Sequence, residues 1–167
     1  MTTKRPFEQI VTDHGPNVLR VCRALLARSD ADDAWSETFL AALRAYPDLP
    51  DDANVQAWLV TIAHRKAIDA LRAQARRPRP VPEPPELATA PTDSSDDSRL
   101  WADWRALPVK QREAVALHHI AGLPYAEVAE LLGGTAAAAR RAASDGIAAL
   151  RRRYPHANQH AAEGARR

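Results

Sequence analysis

The spacing of apolar and polar residues predicts helices in two blocks of chain, one on each side of a segment without apolar periodicity. In the first block the pattern predicts helices over about 6–28, 30–46 and 55–76, with a break at Gly15-Pro16 in the first of them. In the second block it predicts a short helix from Asp97 or Ser98 and then three more. We therefore expect an all-α protein made of two small helical domains.

The expected helix ends rest on residues that favour helix starts and stops. Asp30 or Asp32 can cap the second helix and Asn54 the third, because their side chains accept hydrogen bonds from free backbone amides. In the second block, proline opens and glycine closes two successive helices. The residues concerned are Pro108 with Gly122, and Pro124 with Gly133, and Thr135 can cap the last helix, which runs to about Tyr154.

The segment between the blocks, 77–97, holds six of the thirteen prolines in the chain. Proline lacks an amide donor and disfavours helix in the residue before it, so we expect an extended linker. This divides the chain into a first module at 4–76, a second module at 98–154 and a disordered basic tail at 155–167.

Charge is distributed unevenly along the chain although the net charge is only +2. Residues 30–52 contain seven acids and one base, whereas 64–79 contain six bases and one acid. Residues 140–167 contain seven bases and two acids. Two basic stretches suggest two contacts with a polyanion, although solvated helix faces would also account for them.

Residues 124–153 have the layout of a helix-turn-helix, whose second helix enters the major groove of DNA. Around that helix Ala139, Ala143, Ile147 and Leu150 share one side and should pack inward. The opposite side, available to DNA, carries Ala137, Arg141, Ser144 and Ala148, with Arg140 at its border. A plain helical hairpin is the alternative.

Trp58, Arg65, Arg72 and Arg76 lie within roughly 40° of one another on a helix. We call these four residues the tryptophan–arginine stripe. An aromatic ring beside a row of cations suits single-stranded nucleic acid, because the ring stacks on a base while the cations follow the backbone. Alternatively, Trp58 simply anchors the core.

Other chemistry has little support in the sequence. The single cysteine, Cys22, excludes an internal disulfide and reads as a small buried apolar residue. His156 and His160 have the spacing of a helical metal pair but lack a third ligand. No stretch has the length of a membrane span, and no signal peptide or nucleotide-binding or hydrolase motif is present. We expect a soluble, cytoplasmic protein without cofactor or metal that is not an enzyme.

Three segments together resemble the extracytoplasmic-function (ECF) sigma factors of bacterial RNA polymerase. They are DADDAWSETFLAALRAY (30–46), VQAWLVTIAHRKAIDALR (55–72) and LPVKQREAVALHHIAGLPYAEVAELLGGT (107–135). The resemblance implies that the first module is sigma region 2 and the second is sigma region 4, and that core RNA polymerase and promoter DNA, duplex and single-stranded, are the partners.

The resemblance also implies roles for particular residues. The residues implied to bind the clamp helices of the largest polymerase subunit are Asp30, Asp33, Glu37, Thr38, Phe39 and Leu40. Those implied to melt and hold the −10 element are Asn54, Trp58, Thr61, Arg65, Lys66, Arg72 and Arg76, beside the loop 48–55. Those implied to read the −35 element are Thr135, Ala137, Arg140, Arg141 and Ser144. The second module would also meet the flap of the second-largest subunit, and the linker, with Asp93, Asp96 and Asp97, would follow the path later taken by RNA.

The chain departs from the family pattern at Trp35, Ser36 and Arg65, and its recognition helix, AAAARRAAS, carries few polar groups. Regulation would fall to an anti-sigma factor or to expression. A stand-alone helix-turn-helix regulator is the alternative function, and a protein-interaction adaptor is a third. The acids at 30–37 and the tryptophan–arginine stripe argue against a stand-alone regulator, which needs neither. Arg140-Arg141 argues against an adaptor, which needs no basic helix of this kind. The Ala/Arg bias hints at a GC-rich bacterial source.

Overall fold

The computed structural model describes residues 4–78 and 95–154, without the side chains of 95–98. These residues are helical and contain no strand, which confirms the predicted all-α class. The α-helices are α1 (Phe7–Leu25), α2 (Arg28–Ala45), α3 (Val55–Arg76), α4 (Ser95–Ala106), α5 (Val109–Val115), α6 (Tyr125–Leu132) and α7 (Ala136–Arg153). A 3₁₀ turn (Tyr46–Asp48) follows α2 and a π-helical turn (Ala116–Ile120) follows α5.

Helix α1 runs without interruption through Gly15-Pro16, so the predicted break is wrong. Pro16 removes one backbone hydrogen bond from the helix, but packing against α2 holds the chain in place. The indole Nε1 of Trp35 donates to the carbonyl of Gly15 at 3.0 Å, and a Cβ on Gly15 would lie 3.5 Å from the same ring. A tertiary contact therefore overrides a local helix-breaking signal.

Two of the predicted caps, Asn54 and Thr135, are confirmed. The side chain of Asn54 accepts from the Ala57 amide, and that of Thr135 accepts from the Ala138 amide, each at 3.1 Å. Gly122 and Gly133 have φ of 76° and 72°, as expected where a helix ends in the left-handed region.

Two predicted helix starts differ from the structure. Helix α2 begins at Arg28, with Ala27 as an N-cap that makes no side-chain hydrogen bond, so neither Asp30 nor Asp32 is the cap. Asp30 instead lies in the first turn, where its negative charge suits the positive helix end. Helix α4 begins at Ser95, before the predicted start at Asp97 or Ser98.

Helices α1, α2 and α3 pack together, α7 packs across α5 and α6, and the buried apolar side chains of both modules form one cluster. Cys22 is buried among them, as predicted. The predictions for most of the linker, for the tail and for His156 and His160 concern residues outside the described ranges.

Candidate functional site

Helix α2 presents an acidic face beside α3. Asp33 and Glu37 are exposed and Asp30 is half-buried, and all three line a cleft shared with Asp69 of α3. Leu40, on the same helix, is 56% exposed, which is unusual for so large an apolar side chain. This arrangement of acids beside an apolar side chain suits a partner surface with basic and apolar groups.

Two residues of the predicted polymerase-binding set are buried instead. Thr38 is inaccessible to solvent and its hydroxyl donates to the Ala34 carbonyl at 2.6 Å. Phe39 packs against the rings of Phe7 and Trp35 in the core. Both side chains are buried in the structure and offer a partner little surface, so their role in binding polymerase stays a prediction.

The tryptophan–arginine stripe lies along α3 as predicted. Arg65, Arg72 and Arg76 are exposed, whereas Trp58 is half-buried, with its ring centroid 6.5 Å from that of Tyr46. Trp58 thus packs on one side and keeps part of its surface accessible.

The other residues predicted to contact the −10 element have different surroundings. The Asn54 side chain caps α3, and the Thr61 hydroxyl donates to the Ala57 carbonyl at 2.8 Å. Lys66 faces α2, with its Nζ 3.5 Å from a carboxylate oxygen of Glu37. Lys66 therefore belongs to the acidic cleft of α2 and lies apart from the stripe.

Helix α7 exposes the side predicted for DNA. Ala137, Arg141 and Ser144 are exposed, and the guanidinium of Arg140 lies 5.3 Å from the centre of the Tyr125 ring of α6. This cation–π contact holds Arg140 at the α6–α7 border, where a phosphate is easier to reach than a base edge.

The inward side of α7 includes a position that the periodicity did not single out. Ala139 and Ala143 are buried, and so is Gly146, which lies against Val115 and Gln111 of α5. A glycine inside a predicted helix can indicate a close helix crossing. The sequence alone does not show which helix crosses there.

The contact between the modules is the main feature that the sequence did not reveal. His64 Nε2 of α3 lies 3.0 Å from Glu113 Oε1 of α5, and each side chain is only 7% exposed. The Gln56 amide donates to the Ala121 carbonyl at 2.7 Å, and the Trp104 indole donates to the Ala24 carbonyl at 2.6 Å. The sequence shows only that a histidine and a glutamate each lie within an apolar helical stretch. It does not show that they pair with each other.

Burial shifts the pKa of several groups. It raises the pKa of the Cys22 thiol to about 12 and lowers the pKa of His119, with His118 as a further cause. Burial also lowers the pKa of Arg112, and the nearby Arg105 adds to this effect. Among the described residues no cluster of three or more His, Cys, Asp or Glu could hold a metal ion, and no helix is long and apolar enough to cross a membrane.

Comparison with known proteins agrees with this architecture. Residues 10–77 match the family model "Sigma-70 region 2" and residues 105–150 match "Sigma-70, region 4". The chain is 33% identical over 152 residues to "RNA polymerase sigma factor CarQ" of Myxococcus xanthus, covering 87% of each chain. It is 36% identical over 131 residues to "ECF RNA polymerase sigma factor SigJ" of Mycobacterium tuberculosis, covering 70% of this chain and 40% of that protein.

Two solved structures have the same fold. The sigma factor RpoE of Bartonella quintana, in complex with the anti-sigma factor NepR, aligns with a TM-score of 0.71 at 21% identity, covering 87% of this chain and 94% of that one. CnrH, in complex with the cytosolic domain of CnrY, aligns with a TM-score of 0.62 at 25% identity, covering 89% and 87%.

The two matched regions define a sigma-70 type protein. This chain belongs to the ECF RNA polymerase sigma factors, and it spans between 40% and 57% of the length of the first three curated relatives it matches.

Proposed function

We propose that this chain binds core RNA polymerase through α2 and directs it to a subset of promoters. The observation that carries the proposal is the open face of α2, where Asp33, Glu37 and Leu40 are exposed together. A regulator that acted on DNA alone would have no use for this surface. The chain's role is recognition and strand separation, with no bond made or broken by its own residues.

The first module is proposed to hold the −10 element after melting. The exposed arginines of α3 would follow the single-stranded backbone, and the accessible part of Trp58 would stack on an unpaired base. Base–aromatic stacking is worth about 1–3 kcal/mol, which offsets part of the few kcal/mol needed to unstack a base.

The second module is proposed to bind the −35 element with α7 in the major groove. The side predicted to face DNA consists of Ala137, Arg141, Ser144 and Ala148 and has two hydrogen-bonding side chains, so base readout there is sparse. Contacts of Arg140 with phosphate and the shape of the DNA would contribute much of the binding.

The partners and setting follow from the same proposal. The second module would also meet the flap of the second-largest polymerase subunit, and the factor would act in the cytoplasm at the nucleoid. RpoE is bound to the anti-sigma factor NepR, and CnrH is bound to the cytosolic domain of CnrY, so an anti-sigma factor is a proposed partner here. Co-purification of a dedicated inhibitor that blocks polymerase binding would test this part.

Transcription by purified core polymerase tests the function directly. We expect run-off transcripts from a subset of genomic fragments when this chain is added, and none without it. The double variant Trp58→Ala, Arg72→Ala should still bind polymerase and duplex promoter but leave −10 thymines unreactive to permanganate. A pre-melted bubble template should restore much of its transcription, because the strands are already separated.

Controls separate this role from a structural one. Trp101→Ala, Arg20→Ala removes an exposed tryptophan and an exposed arginine outside the stripe and should leave melting intact. If Trp58→Ala, Arg72→Ala instead loses thermal stability and polymerase binding together, Trp58 is only a core anchor. Specific duplex binding without any effect on core polymerase would identify a stand-alone helix-turn-helix regulator.

A further inference from the structure

The residues just before α1 fasten the turn that follows α2. The ammonium group of Lys4 donates to the carbonyl oxygens of Pro47, at 3.0 Å, and of Leu49. The same ammonium group lies 5.0 Å from the centre of the Tyr46 ring, which is a cation–π contact. The Tyr46 hydroxyl in turn donates to the carbonyl of Arg5 at 2.8 Å. We call these three hydrogen bonds and the ring contact the Lys4 strap.

Tyr46 connects the Lys4 strap to the surface proposed for the −10 strand. Its ring is buried, with its centroid 5.4 Å from that of Phe7 at the start of α1 and 6.5 Å from that of Trp58 on α3. The loop 48–55, which the resemblance to ECF sigma factors assigns to the −10 element, begins in the same turn and ends where Asn54 caps α3. The strap therefore contacts both the ring that packs beside Trp58 and the start of this loop.

The backbone hydrogen bonds inside the connection from α2 to α3 are short-range. The Leu49 amide donates to the Tyr46 carbonyl at 3.2 Å, and the Ala53 amide donates to the Pro50 carbonyl at 3.1 Å. Each of these bonds closes a single turn, so neither fixes where the loop lies relative to α1. The Lys4 strap supplies a connection of that kind, because Lys4 lies 43 and 45 positions before the two residues whose carbonyls it binds.

Loss of the strap should displace the loop without unfolding the module. Pro47 is exposed and Leu49 is half-buried, so their carbonyl oxygens can bond to water when Lys4 is replaced. The buried apolar side chains of α1, α2 and α3 keep their packing, because the Lys4 side chain is not among them. An effect on promoter recognition can therefore be measured apart from an effect on folding.

We propose that Lys4 is a positioning residue for base recognition in the −10 element. It acts through Tyr46 and the loop 48–55 and contacts no base itself. An unpaired base stacked on Trp58 is read by the groups beside its edge, and the strap sets where those groups lie relative to the ring. Hydrogen bonds weaken steeply as they are misaligned, so a displaced loop discriminates less well between bases. The inference rests on the proposed −10 function of the first module.

Three substitutions test the role of Lys4. Lys4→Met removes the ammonium group and keeps an unbranched side chain, whereas Lys4→Arg keeps a cation that can donate to the carbonyl oxygens. Lys110→Met changes an exposed lysine of α5 in the same way and is the matched control. Each protein is assembled with core polymerase. Run-off transcription then compares one promoter from the genomic screen with copies of it changed at each −10 base pair in turn.

The ratio of transcription between the original and the changed promoters measures base discrimination. We expect Lys4→Met to lower this ratio by about three- to ten-fold at one or two −10 positions, which is the factor that one hydrogen bond is typically worth. Lys4→Arg should keep most of the discrimination, and Lys110→Met should change it by less than about two-fold. All four proteins should bind core polymerase equally.

Two results would overturn the inference alone. Unchanged discrimination by Lys4→Met, with or without a lower Tm, would mean that the strap has only a structural role. Equal weakening on every −10 sequence, together with a smaller salt dependence, would identify Lys4 as a direct phosphate contact. If the original protein itself transcribes all the changed promoters equally well, the proposed −10 function fails, and the inference about Lys4 fails with it.

Discussion

Replacing Gly146 by alanine adds one methyl group at the closest approach of α7 to α5. An ideal Cβ on Gly146 would lie 2.9 Å from Cγ2 of Val115 and 3.4 Å from both Cβ and the carbonyl oxygen of Gln111. Gly146 is buried and its φ is not positive, so the backbone itself tolerates alanine. The added Cβ therefore has two opposing effects on stability, a gain in helix propensity and a loss from overpacking.

The substitution stabilises α7 as a helix but destabilises its packing against α5. Glycine to alanine inside a helix is worth about 0.8–1.0 kcal/mol of stability. Overpacking a well-filled site costs about 1–3 kcal/mol, and Val115, which is 3% exposed and branched at Cβ, cannot turn its methyl away. We expect Gly146→Ala to lower the free energy of unfolding by about 1 kcal/mol, which corresponds to about 2–4 °C in Tm.

Thermal and urea unfolding of four proteins would check the prediction: the original, Gly146→Ala, Val115→Ala and the double variant. With the Val115 methyl groups removed, Gly146→Ala should become stabilising by up to about 1 kcal/mol, because the closest contact is gone, the 3.4 Å contacts with Gln111 are milder, and the helix-propensity gain remains. Stabilisation by Gly146→Ala alone would mean that α5 and α7 pack less closely than described. Equal destabilisation in both backgrounds would exclude Val115 as the cause.

Three further predictions concern function and pH. Reversing Asp33 and Glu37 to lysine should abolish co-purification with core polymerase yet change stability by less than about 1 kcal/mol, because Glu37 is largely exposed in its pair with Lys66. Retained co-purification would refute the proposed α2 surface. Arg141→Ala should weaken promoter binding by about 1–3 kcal/mol and relax preference at one base pair. Arg140→Ala should weaken binding to all sequences and reduce the salt dependence of binding. No effect of either substitution would mean that α7 does not enter the groove. Burial raises the pKa of the Cys22 thiol to about 12, so the free energy of unfolding should fall as pH rises above about 9, where the unfolded thiol ionises. In urea titrations across that range, Cys22→Ala should show a shallower fall in the free energy of unfolding.

Local signals in the sequence were sufficient to predict where several helices begin and end. Asn54 and Thr135 cap helices because a side-chain oxygen reaches the amide three residues on, which depends on nothing beyond the helix itself. The left-handed glycines at 122 and 133 likewise end the helices that the sequence predicted to end there. Elements whose ends depend on their own residues are the ones that sequence can place.

The rest depends on contacts between distant residues. The break expected at Pro16 is absent because Trp35, from the next helix, packs on Gly15. Thr38 and Phe39 fall in the core because α2 is turned by its contacts with α1 and α3, so matching a family pattern did not tell buried positions from exposed ones. The His64–Glu113 pair joins residues 49 positions apart and has no periodicity to reveal it.

The π-helical turn after α5 sets the orientation of everything that follows it. The amide of Ala121 bonds to the carbonyl of Ala116 at 2.9 Å, five residues back, so this turn holds one residue more than an α-helical turn. One residue corresponds to about 100° of rotation around a helix axis. The direction in which α6 and α7 leave α5, and hence which side of the helix-turn-helix meets α3, is therefore fixed by the number of residues in this turn. A change in chain length here would reorient α6 and α7 together relative to α5, even with every side chain of α6 and α7 unaltered.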